Sequence, residues 1–244
     1  GAPTASFTAN RTNICVGQTV AYTDLSTGSP TSWNWTFSGG TPSTSAVQNP
    51  TITYNTAGTY STVLTASNTA GSSVFTQTAY ITVSSPVTLP LTQDFQTATF
   101  APTNWANVDA GADNLKWKLS TTAGYSSTQA AYFNNYNDSA ANKRDELRTA
   151  ISLTGFTSAK MTFYRAYAQT FTSPYIDTME IGISINCGTS VTSAYLKGGS
   201  QFTTAVTTNS AVAFSPTAIS QWKKDSIDLT PYVGQSNVRI AFIN

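Results

Sequence analysis

The chain has 244 residues, with 12 Lys+Arg against 11 Asp+Glu, a formal charge of +1 and only 9% of positions charged. Such a surface lacks the clustered cations that neutralise phosphates, so no nucleic-acid partner is expected. Histidine is absent, which removes Ser-His-Asp triads, Cys-His pairs and HExxH zinc sites and leaves carboxylate chemistry or binding.

Short apolar segments separated by Gly, Pro, Asn and Ser clusters run from end to end, with no sustained helical spacing, so the chain reads as all-β. Strands are expected over 5–9, 20–24, 33–37, 60–67 and 75–83. On the fourth, Tyr60, Thr62, Leu64 and Ala66 share one face by the period-two rule. Asn68-Thr69-Ala70-Gly71 then supplies residues that tolerate positive φ and favours a tight hairpin. The stretch from Ser84 to Pro90 carries two prolines and cannot sit inside a central strand. Domains are accordingly expected at 1–84 and 91–244, joined by a linker over 85–90.

Alternation is stronger in the second part. Met179, Ile181, Ile183 and Ile185 point one way while Thr178, Glu180, Gly182 and Ser184 point the other. Met161, Phe163 and Tyr167 form another apolar row, which Arg165 interrupts, and Val238, Ile240 and Phe242 form a third. About ten such strands suit a two-sheet jelly roll. Cys15 and Cys187 cannot build a disulfide framework, and one long-range bridge and two separate buried thiols are both open. Few charges with abundant Thr, Ser and Asn read as an extracellular β-protein, secreted or at the cell surface. No apolar run reaches transmembrane length, so no membrane insertion is expected, and a monomer is assumed.

Two resemblances follow from ordered motifs. WNWTFSGG (33–40), NPTITYNTAGTYSTVLTASNTAG (49–71) and YITV (80–83) resemble a PKD domain, which implies an immunoglobulin-like sandwich. The family's usual FGDG is Phe37-Ser38-Gly39-Gly40 here, so its Asp is missing. LPLTQDF (89–95), the run at 102–117, DELRTAISLTGFTSAKMTFYRAYA (145–168), DTMEIGISINCG (177–188) and the run at 220–244 resemble the MAM-like jelly roll called choice-of-anchor J or cleaved-adhesin domain. Members carry a further strand with an Asp after the FxN step, so the resemblance implies a fragment of a longer protein. It also implies a context of exported bacterial proteins, either adhesins or pappalysin-type peptidases with such modules.

The same resemblance implies a structural calcium ion. Calcium takes six to eight oxygen ligands, and the loop from Asp109 to Asn114 resembles the family's acidic loop, with Asp94, Asp109, Asp113 and Asp145 as candidate ligands. Gln96 stands where relatives place a Glu. Asp109 and Asp113 would equally serve as caps of a turn. A second candidate is sugar stacking by surface rings, for which Trp105, Trp117, Trp222, Tyr125, Tyr132 and Tyr136 qualify by type. Tyr132 and Phe133 alternate, so one faces outward, and Tyr136 lies in a polar loop. Trp33 and Trp35 share one side of a strand. Trp35 is expected in the core, and Trp33, with Tyr136, is the ligand-facing candidate. A glycosidase would need two acids sharing a cleft. Asp145 and Glu146 alternate across a strand, and nothing marks Asp225 with Asp228. The expectation is therefore a non-catalytic accessory segment that binds an extracellular polysaccharide or protein matrix, with a purely structural spacer or a carbohydrate-binding module as alternatives.

Overall fold

The computed structural model describes residues 1–109, 114–134, 144–168, 177–205 and 214–244. Two compact units divide the chain, Gly1–Ser85 and Pro86–Asn244.

The first unit contains β1 (Phe7–Ala9), β2 (Asn13–Cys15), β3 (Gln18–Asp24), β4 (Ser32–Phe37), β5 (Gly40–Thr41), β6 (Thr44–Ser45), β7 (Thr51–Tyr54), β8 (Gly58–Asn68) and β9 (Gly71–Ser84). They form a four-stranded sheet, β1-β3-β7-β5, and a five-stranded sheet, β2-β9-β8-β4-β6. Period-two alternation on both sheets delivers one shared core: Phe7, Val20, Tyr22, Ile52 and Tyr54 meet Ile14, Trp35, Phe37, Leu64, Ala66, Ile81 and Val83. Trp35 is fully buried and stacks on Phe37, with ring centroids 5.6 Å apart. The row Thr62, Leu64, Ala66 is buried, with Tyr60 packed partly against the core. The β8–β9 hairpin turns at Thr69-Ala70, where Asn68 Oδ1 accepts the Ala70 N–H at 2.8 Å. The tip is thus closed by a side chain that mimics a backbone turn.

The second unit contains β10 (Trp105–Val108), β11 (Lys118–Ser120), β12 (Ala130–Tyr132), β13 (Glu146–Ile151), β14 (Lys160–Arg165), β15 (Thr178–Ser184), β16 (Thr192–Gly198), a single helical turn α1 (Gly199–Phe202), β17 (Lys223–Asp228) and β18 (Val238–Ile243). A five-stranded antiparallel sheet runs β10-β13-β18-β15-β16, and β11-β12 and β14-β17 form two-stranded ribbons. β18 lies inside the sheet, paired with β13 on one side and β15 on the other. Met179, Ile181, Ile183, Val238 and Ile240 face Ile227 and the half-buried Met161 and Phe163 of the β14–β17 ribbon, giving a jelly-roll sandwich with one apolar layer between sheets. The expected row ends at Ile183. Ile185 lies beyond the strand and is 50% exposed.

Candidate functional site

The β14–β17 ribbon separates two chemistries by strand parity. Lys160 to Arg165 pairs antiparallel with Asp228 to Lys223, so Tyr164 faces Lys224 and Phe163 faces Asp225. Phe163 and Arg165 point inward, and Thr162, Tyr164, Lys224 and Ser226 point to solvent.

On the inner side, the charge that interrupts the apolar row is neutralised by a residue sixty positions away. Arg165 Nε donates to Asp225 Oδ2 at 2.5 Å and its Nη1 to the Phe202 carbonyl. Tyr195 Oη donates to Asp225 Oδ2 at 2.6 Å and Lys197 Nζ to Oδ1 at 3.1 Å. Burial pushes the Asp225 carboxyl up, but the hydrogen bonds from Arg165, Tyr195 and Lys197 outweigh it and hold it at about 2. Burial, then the bond to Asp225, raises the Tyr195 phenol above its ordinary range. The knot ties the ribbon to β16. Asp228 lies on the opposite face and caps the Thr230 N–H at 2.9 Å, so Asp225 and Asp228 do not share a cleft. Asp145 is fully buried while Glu146 pairs with Arg148 at 3.0 Å.

On the outer side three rings come together. Tyr125 stacks face to face on Tyr164, with centroids 3.5 Å apart and planes at 12°. Trp222 stands edge-on to Tyr125 at 6.5 Å and 71°. Tyr164 is 39% exposed. Its hydrogen bond with Tyr125 raises the Tyr125 phenol above its usual value. Lys224 Nζ lies 5.8 Å from the Tyr164 ring centre, within cation–π reach. Beside Trp222 opens a recess rimmed by Thr122, Ser127, Thr128 and Thr217. Flat apolar faces next to hydroxyl groups are the combination that holds a sugar ring, the C–H face on the aromatic and the hydroxyls on the polar rim. Trp222 and Tyr125 qualify from sequence by type alone. Tyr164 is not among the rings that qualify by type, although its parity against inward Phe163 marks it as outward.

The other candidates are placed differently. Trp33 is half-buried against the core, and its Nε1 donates to Asp24 Oδ2 at 2.7 Å, an oxygen that also accepts Gln48 Nε2 at 3.1 Å. Trp105 packs on Phe95 and Phe242, and Trp117 meets Phe133 edge-on while donating to the Asp145 carbonyl. Tyr132 is the outward member of its pair, 40% exposed. Asp94 Oδ1 accepts the Gln96 N–H at 3.0 Å, and Asp109 Oδ2 accepts that of Asn114 at 3.0 Å. Asp113 and Tyr136 lie outside the described residues. Among the described residues no three Asp, Glu or Cys side chains gather as a metal cluster. Neither Cys15 nor Cys187 is a free thiol.

Residues 1–83 match the PKD domain family, in agreement with the sandwich of the first unit. No curated protein matches the chain. Among solved structures, a chain from work on the promiscuous specificity of carbohydrate-binding modules of the beta-sandwich super family is 17% identical, with a TM-score of 0.36, over 100% of this chain and 91% of that one. At that score the likeness carries no argument about ligand or chemistry. No helix among the described residues is long and apolar enough to cross a membrane.

Proposed function

We propose that the chain is a non-catalytic accessory segment of a larger secreted or surface-attached protein, and that its second unit holds an extracellular polysaccharide on the Tyr125, Tyr164 and Trp222 rings. The observation that carries this reading is the gathering of those rings on the solvent side of a ribbon whose other side is packed. Large aromatics are normally spent on the core of a sandwich, and surface clusters of apolar faces mark interaction sites. Cysteines that are not free thiols support an oxidising, extracellular setting. The resemblance of the second unit to adhesin-like jelly rolls supports attachment to a matrix, and a peptidase neighbour would belong to the rest of such a protein.

Incubation with insoluble polysaccharides, followed by sedimentation, tests the reading. The parent chain is expected in the pellet of at least one polymer, and Tyr164→Ala and Trp222→Ala in the supernatant. Retention of neither parent nor variants by any polymer would favour the spacer reading, and retention of all three alike would remove the rings from the site.

A further inference from the structure

The geometry points to an acidic polysaccharide, one whose sugars carry carboxylates, as the polymer this face takes, with Lys224 as the residue that selects it. This rests on the ring cluster being the binding surface. Lys224 is the register partner of Tyr164, exposed on the same side of the ribbon, with its ammonium beside the ring. Among the described residues it enters no ion pair, whereas Arg144, Arg148, Arg165 and Lys197 each do.

The outward positions beyond it, Thr162 and Ser226, are paired hydroxyl residues without charge. The next pair outward, Lys160 and Asp228, sets opposite charges across from one another in the register. The face therefore reads, from Trp222 along about 20 Å of strand, as rings, one cation with no acid opposite it, hydroxyls, and a pair of opposite charges in register. A neutral polysaccharide would use the rings and hydroxyls and leave the ammonium without a counterpart. A sugar carboxylate meets all three, with the ring fixing the pyranose plane and Lys224 beside it meeting the acid. One exposed ion pair supplies a modest preference, about fivefold in affinity, and it weakens with salt because an exposed pair is screened.

Calorimetry with polygalacturonate and with the same polymer fully methyl-esterified tests the assignment, since the two differ in charge and share a backbone. The parent chain is expected to bind the acid form about fivefold tighter than the ester in low salt, and the preference is expected to disappear as salt approaches about 1 M. Lys224→Gln should bind both forms equally, at the affinity the parent shows for the ester. Equal binding of the two polymers by the parent, a preference that survives Lys224→Gln, or no binding of either polymer overturns the assignment of acidic sugars. The ring cluster itself stands or falls separately. Tyr164→Ala should lose both polymers, and if it binds as the parent does, the underlying site is wrong. Lys224 is exposed, and an unchanged thermal midpoint for Lys224→Gln will confirm that its effect is not one of folding.

Discussion

The Tyr60 ring lies directly on the backbone of Gly39: a Cβ placed there would meet Tyr60 Cε1 at 2.2 Å. Tyr60 cannot swing away freely, because its hydroxyl donates to the Thr56 and Ala57 carbonyls at 3.0 and 3.3 Å. Gly39 also sits at φ +65, where a side chain is strained. This is the position at which the resembling family carries its Asp. Gly39→Ala is expected to cost about 2 to 3 kcal/mol, overpacking plus backbone strain. Urea denaturation of the first unit's transition measures it, and restoring Asp at 39 should cost at least as much.

Arg165 and Asp225 act as one element. Arg165→Met leaves the carboxylate with only Tyr195 and Lys197, and a loss of about 3 kcal/mol is expected. Replacing both residues, as Arg165→Met with Asp225→Leu, should cost less than the single change, because no charge is then left half-buried. A double-mutant cycle followed by chemical denaturation reads the difference.

Acid should weaken the second unit in a defined window. The Asp225 carboxyl is held at about 2 in the folded chain against an ordinary 3.8, so the folded state binds the proton less readily than the unfolded chain does. The contribution is fully present above about pH 4 and is lost as the pH falls toward about 2, by on the order of 1 kcal/mol once solvent screening is allowed for. Asp24 works in the same direction in the first unit: burial opposes its ionisation, and hydrogen bonds from Ser26, Gln48 and Trp33 outweigh that. Stability measured against pH should show the loss in the parent chain, and a smaller one in Asp225→Asn.

Calcium at the acidic loop is a separate proposal. It requires Asp113 to join Asp109, whose Oδ2 already accepts the Asn114 N–H. Titration of chelated protein with calcium should release or absorb heat that Asp109→Ala abolishes. No heat above background in the parent would leave Asp109 as a turn cap.

Period-two rows carried most of what was legible. Leu64 and Ala66, Met179 to Ile183, and Val238 with Ile240 announce their buried faces because a half-buried strand must alternate. Two-residue strands such as β5 and β6 carry no period, and β7 lies in the NPTITYN segment outside the expected strands, although Ile52 and Tyr54 alternate. Arg165 interrupts its row visibly, yet nothing local reveals Asp225, since the partner comes from another strand of the ribbon. The ring cluster has the same character. Tyr125, Tyr164 and Trp222 come from three distant segments, and only folding makes neighbours of them. Trp33 shows the converse. Its side of the strand was readable, while the Asp24 carboxylate that anchors its indole was not.

The interior position of β18 has a consequence for how this protein comes into being. β18 fills the middle of the sheet and is hydrogen-bonded on both flanks, so β13 and β15 are joined only through it. Contacts that span so much sequence slow folding, and they keep the second unit open until residues 238–243 are in place.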